Sequence, residues 1–149
     1  MNQAISLQGD CFVTHTEALE YRPEGTWKWA QAIGVDDQAR SLSLFCIELS
    51  EGRTPWLACG ESDAVLYSLE GACKLRIGER EFELRPGTGA HVRPGERFCL
   101  QNQQPGKARL LLSYCPRREG LAFDDDGDFH FDQRFPTRTV ETGRSPTQA

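Results

Sequence analysis

The chain contains no run of about 18 apolar residues, and Met1 to Asp10 shows no basic start leading into an apolar block. Neither a membrane-spanning helix nor a secretory signal is indicated, so the expectation is a cytoplasmic, soluble protein with no membrane partner. A basic stripe is also missing: 17 Lys and Arg stand against 22 Asp and Glu, a formal net charge of −5, and no Lys/Arg row interleaves with aromatic residues. Nucleic acid is not an expected partner. There is no C-x-x-C pair, because Cys11, Cys46, Cys59, Cys73, Cys99 and Cys115 lie far apart. Without an export signal, free buried thiols packing as small hydrophobes are expected in place of disulfides or a metal cage. His15 has no companion, and no Ser/His/Asp or Cys/His nucleophile assembles from spacing. Helical periodicity of useful length and internal repeats are absent too.

What is present is a series of short strands. Cys11–Val13 reads as a short strand, and Thr16 to Tyr21 as a turn of helix capped by Thr16. Thr26 to Ala30 alternates aromatic with polar residues, which puts Trp27 and Trp29 on one buried face as packing residues. Ser41 to Leu49 is a second, more apolar strand whose single charge is Glu48. Ala64 to Leu69 has apolar residues at both parities, so both of its faces are expected to be covered. Cys73–Ile77 and Arg80–Leu84 alternate around Gly78-Glu79, the hairpin signal, with Leu75, Ile77, Phe82 and Leu84 on the buried face. His91 falls on the parity opposite Ala90 and Val92 and is expected to point away from the core. Ala108 to Tyr114 closes the series.

At 149 residues the chain fits one domain, able to bury about two thirds of its unfolded surface. Short strands with Gly/Pro turns indicate an all-β sandwich or barrel. The expected organisation is an N-terminal extension over 1–40 with strands packing on the barrel, and a barrel core over 41–116. A C-terminal extension over 117–141 with one more strand around Phe129 and Phe131, and a flexible tail over 142–149, complete it. The acidic cluster Asp124 to Asp128 lacks the distal Glu of a calcium loop and reads as a solvated turn.

The order of turns in the central block resembles the cupin family, a group of small jelly-roll barrels (double-stranded β-helices). A first cupin-like motif spans Pro55 to Gly71, with V-L-Y-S-L-E-G as a strand ending in a Glu-Gly turn. A second spans Gly87 to Asn102, with a Pro-Gly loop and a terminal Asn at the family's spacing. The family's metal site uses three His and one Glu. Counted back from Gly71 and Asn102, these positions hold Ala58, Gly60, Ala64 and Phe98, none of which ligates a transition metal. No metal and no other cofactor is therefore expected. Cys59, Glu61, Asp63 and Cys99 each neighbour a lost position and would form a different metal site only through two independent register shifts.

What the resemblance leaves is a barrel interior lined by Trp56, Ala58, Gly60, Ala64, Leu66, Ser68, Phe98, Leu100 and Asn102. Its character suits a small, largely apolar or aromatic organic ligand. Two alternatives stand beside this reading. One is a metal-independent isomerase, cyclase or lyase using Glu48 or Glu61 as acid/base, and the other is a structural or regulatory dimer with a filled barrel. Apolar residues on both faces of Ala64–Leu69, together with Trp27, Trp29 and the Phe129/Phe131 strand, are more than one small sandwich buries inside and point to a homodimer in each case.

Overall fold

The computed structural model describes residues 5–7, 11–34, 39–118, 120–121 and 123–124. The strand expected around Phe129 and Phe131, the acidic run over 125–128 and the tail over 142–149 lie outside the described residues. In chain order the strands are β1 (Ile5–Leu7), β2 (Cys11–Val13), β3 (Arg22–Pro23), β4 (Trp27–Ile33), β5 (Ser43–Leu49), β6 (Gly52–Arg53) and β7 (Trp56–Ala58). They continue as β8 (Asp63–Glu70), β9 (Cys73–Ile77), β10 (Arg80–Leu84), β11 (Gly89–Val92), β12 (Arg97–Asn102), β13 (Ala108–Cys115) and β14 (Phe123–Asp124). A 3-10 turn at Thr16–Ala18 is the sole helical element among the described residues, so no helix there is long and apolar enough to cross a membrane.

β1 and β2 form a small ribbon. One larger sheet runs β10-β9-β12-β7-β14 with β6 beside β12, and the other runs β11-β8-β13-β5-β4-β3. Their strands pair antiparallel, and the two sheets share one apolar cluster between them. The result is an all-β, double-stranded β-helix barrel, the jelly-roll expected from the turn spacing.

Local sequence explains the elements. The hairpin of β9 and β10 pairs Ile77 with Arg80 across the two-residue loop Gly78-Glu79, and Gly78 takes the positive φ of 61° that such a loop needs. Leu75, Ile77 and Leu84 are buried, and Phe82, partly buried, packs against them. At Gly71 the chain crosses from one sheet to the other with φ +71°, and a side chain there would run into the Lys107 carbonyl. Trp27 and Trp29 lie buried on the inner face of β4, as the alternation predicts.

Three expectations are corrected. Both faces of β8 are not covered: Ala64, Leu66 and Ser68 are buried inward, whereas Val65, Tyr67 and Leu69 are 49%, 47% and 39% exposed. A sheet with one face on a core leaves its other parity to whatever lies outside, and apolar residues do not bring their own cover. The helical turn near Thr16 is a 3-10 turn capped by His15, whose Nδ1 accepts a hydrogen bond from the Glu17 amide at 3.0 Å. All six cysteines are free thiols, but only Cys46, Cys59, Cys73 and Cys99 are buried, and Cys11 and Cys115 are exposed.

Candidate functional site

The interior of the barrel is set by register. Phe98 pairs with Ile77 on one side and with Leu57 on the other, and Leu100 pairs with Leu75. Directly opposed residues share a face, so Leu57, and not its neighbours, projects inward from β7. Trp56 lies on the outer side, where the guanidinium groups of Arg53 and Arg76 sit 5.9 and 5.5 Å from its ring centroid. Ala58 shares that outer parity, opposite Arg97. Gly60 is in the following turn at φ +62°. The inward residues of the first motif are thus Leu57 and Cys59, one position earlier than Ala58 and Gly60. Counting back from a distant turn misplaces them because the tight turn at Cys59–Ser62, closed by the Ser62 amide on the Cys59 carbonyl at 3.1 Å, sets the register locally.

Six of the nine predicted lining residues do face inward: Ala64, Leu66, Ser68, Phe98, Leu100 and Asn102. Asn102 works as a loop anchor, donating to the Leu49 carbonyl at 3.1 Å and the Gly106 carbonyl at 2.9 Å and accepting from the Gln104 amide at 3.0 Å. The large inward side chains Phe45, Leu57, Leu66, Leu75, Phe98 and Leu100 are each 0% exposed and belong to one contiguous cluster.

At one end of the barrel this cluster becomes aromatic. Trp29 and Phe45 stand with ring centroids 5.9 Å apart, and Phe45 and Tyr114 meet edge-to-face at 5.9 Å. The Arg118 guanidinium lies 5.6 Å from the Tyr114 ring centroid and donates to the Cys59 carbonyl at 2.9 Å. Gly60 makes room for it, since a Cβ at that position would strike the guanidinium. Burial pushes the Cys59 thiol up to about 12, with Arg118 pulling the other way, so the sulfur is a protonated packing atom at neutral pH. Burial, followed by the proximity of Cys59, raises the Tyr114 phenol as well. Tyr114 and Phe45 are not among the predicted lining residues, although the parity Ala108, Leu110, Leu112, Tyr114 carries the signal for Tyr114. Arg118 carries none, because its position depends on how the chain returns past Pro116.

The donor set can be tested directly. In the observed register the family's four ligand positions hold Leu57, Cys59, Ala64 and Phe98, and a single buried thiol does not make a transition-metal site. Among the described residues no group of three His, Cys, Asp or Glu gathers to hold an ion. The non-standard set is dispersed: Cys59 faces the core, and Cys99 pairs with Arg76 on the opposite side of its sheet. Glu61 is exposed in the turn, and the exposed Asp63 is held 2.7 Å from His91 Nε2, outside the barrel as expected for His91.

Glu48 is also outside. Its neighbours Ile47 and Leu49 are in the barrel core, while Glu48 points to the outer face with its side chain 11% exposed. Lys28 Nζ, Lys107 Nζ and Arg109 Nε lie 3.5, 3.5 and 3.4 Å from its carboxylate. Three cations surround its carboxylate against the sheet, a structural use of the side chain.

No family model and no curated protein matches the chain by sequence. Solved structures do match by shape. The polyketide cyclase RemF from Streptomyces resistomycificus is 23% identical over 74% of this chain and 83% of that chain, with a TM-score of 0.62. The protein TT1209 from Thermus thermophilus is 26% identical over 71% of this chain and 98% of the other, at a TM-score of 0.60. An RmlC-like cupin from Shewanella frigidimarina is 18% identical over 71% and 91%, also at 0.60. A likeness at this level of identity establishes the architecture and leaves chemistry to the residues of the site.

Proposed function

The chain is a cupin by fold, and from that premise we propose that it is a metal-free cupin whose barrel is a packed scaffold, working through its outer surface as a homodimer. The observation that carries this reading is the fate of the family's four ligand positions. Leu57, Cys59, Ala64 and Phe98 are each 0% exposed and belong to the same apolar cluster as Phe45, Leu66 and Leu100. Close packing of that kind stabilises a fold and offers a reactant neither donor nor water. Glu48 and Glu61, the two candidate acids, both lie outside the interior. Two measurements test the proposal together. Metal analysis of protein purified without added metal is expected to show no stoichiometric zinc, iron or manganese, and sedimentation at micromolar concentration is expected to give a dimer mass. Stoichiometric metal or a monomer overturns it.

A second reading is favoured by the aromatic row at the barrel end. Trp29, Phe45 and Tyr114, beside the small side chains of Cys59 and Ala64, have the chemistry to take a small, largely apolar or aromatic molecule. Indole and 1-naphthol are suitable probes. A saturable rise in melting temperature that Phe45→Leu abolishes would move the balance to this reading, and no shift up to millimolar probe would close it.

A further inference from the structure

The outer face of the sheet that holds β4, β5, β13 and β8 changes character from one row of residues to the next. One row crosses all four strands with charges of alternating sign: Lys28 lies opposite Glu48, Glu48 opposite Arg109, and Arg109 opposite Glu70. The neighbouring row is apolar, with Ala30 opposite Cys46, Cys46 opposite Leu111, and Leu111 opposite Tyr67. The N-terminal segment from His15 to Tyr21 lies across both rows at their β4 and β5 end. Leu19 clusters there with Ala30, Ala32 and Cys46, and Tyr21 packs against them. Above the charged row, Arg109 Nη2 donates to Thr16 Oγ1 at 2.8 Å, and Lys28 Nζ sits 4.9 Å from the Tyr21 ring centroid. Beneath this cover Cys46 is 0% exposed. Burial, followed by the neighbouring Cys46 thiol, raises the Tyr21 phenol above its ordinary pKa, in keeping with a hydroxyl closed over that sulfur.

We infer that the segment His15–Tyr21 is a strap that lifts as a unit while the barrel stays folded, pivoting on β3 and setting how much of the apolar row is shown to solvent. Three features give it this freedom. First, its apolar hold is thin. The 3-10 turn Thr16–Ala18 buries no residue, and Leu19 and half-buried Tyr21 rest on a bed of two alanines and a cysteine. Segments with few buried apolar contacts open at lower free energy than the core they cover. Second, the strap carries its own internal bonds. The Ala18 amide donates to the His15 carbonyl at 2.9 Å, and the Tyr21 hydroxyl donates to the Thr16 carbonyl at 2.9 Å. Both bonds travel with the segment and survive its lifting. Third, release leaves its catch satisfied. Arg109 faces Glu48 and Glu70, each at 3.4 Å, so its guanidinium keeps two carboxylates when Thr16 departs. The pivot is a short ladder, Arg22 opposite Trp29 and Pro23 opposite Lys28, and Pro23 has no N–H to contribute. Lifting the strap would extend the apolar surface at Tyr67 and Leu111 across Cys46 to Ala30. Nothing in this depends on what the barrel holds or on a second copy of the chain.

The thiols make the test internal to one molecule, because Cys46 lies under the strap whereas Cys59 and Cys73 lie in the barrel core. Iodoacetamide labelling of the full chain in native buffer, resolved cysteine by cysteine with peptide mass spectrometry, reads each rate. Cys46 is expected to react more slowly than the exposed Cys11 and Cys115 and faster than Cys59 and Cys73. Its rate should rise only gently with urea, since lifting the strap exposes little surface, while the Cys59 rate should climb steeply. Leu19→Ala removes the apolar anchor and should speed Cys46 about tenfold. Thr16→Val leaves the cover over Cys46 in place and removes the Arg109 acceptor, so its expected gain of about threefold reports motion and not a hole beside the sulfur. Cys59 and Cys73 should keep their wild-type rates in both variants, with circular dichroism establishing that each is folded. A wild-type Cys46 that reacts no faster than Cys59 and Cys73, or with the same steep urea dependence, would overturn the inference. So would variants that leave the Cys46 rate unmoved or speed all three buried thiols alike.

Discussion

The outer faces of the two sheets make opposite use of the same kind of strand. β9 and β10 turn Leu75, Ile77 and Leu84 to the core and show water Lys74, Arg76, Glu81 and Glu83, with Glu81 3.7 Å from Arg76 and 4.0 Å from Lys74. β8 turns Ala64, Leu66 and Ser68 to the same core but shows water Val65, Tyr67 and Leu69. Inward they are equivalent, and each delivers its share of one cluster. Outward, one is a solvated surface and the other an apolar one. The inward parity holds the barrel together, and the outward parity decides what the barrel meets.

Substitutions on the two parities should separate these roles. Leu66→Ala removes a fully buried side chain and is expected to cost about 2–5 kcal/mol by chemical denaturation, whereas Tyr67→Ser, one residue away, should leave the folded monomer within about 0.5 kcal/mol. Equal losses from the pair would mean that the outer face of β8 is part of the core. Asn102→Ala leaves the Leu49 and Gly106 carbonyls and the Gln104 amide without their partner, for an expected loss of about 1–3 kcal/mol by the same measurement. That loss belongs to loop closure and should leave the dimer mass unaltered.

Alkaline pH probes the buried thiols. Burial raises the Cys59 thiol from 9.0 to about 12 and the Cys73 thiol from 9.0 to about 11. The native state therefore keeps protons that the unfolded chain gives up. Stability from each thiol is complete below the unfolded value near 9 and falls as pH rises toward the folded value. The slope is about 1.4 kcal/mol per pH unit per thiol. Cys59→Ala should flatten the alkaline limb of the pH–stability profile by one such slope between pH 9 and 11, and an unchanged limb would show that Cys59 is not sealed in the core. The smallest effect is expected from Lys74→Ser, within about 0.5 kcal/mol because an exposed ion pair contributes little.

Much of the barrel was legible in the residues. The hairpin around Gly78-Glu79, the inward faces of β9 and β10, the placement of Trp27 and Trp29 on one face and the outward His91 all follow from a period of two read between clear turn signals. The first cupin-like motif was harder. Its turns were visible, but Leu57 and Cys59 could not be told from Ala58 and Gly60, because apolar and small residues occupy both parities of β7 and a one-residue slip exchanges them. Glu48 shows the complementary limit: its place in a strand was clear, while its burial depends on Lys28, Lys107 and Arg109 arriving from two other strands and a loop.

By itself, then, the sequence determined an all-β barrel, its hairpin, its turn order and the loss of His and Glu from the metal-binding pattern. These are local properties, set by side-chain alternation, by glycine at positive φ and by the chemistry of single residues. Only the tertiary structure decided which parity of β7 faces inward, that the ligand positions close into a packed cluster, and that Val65, Tyr67 and Leu69 stay uncovered while the far side of the same sheet is roofed. Those outcomes depend on which strand lies opposite and which segment returns to cover it, and contacts between residues far apart in the chain leave no periodic trace in either partner.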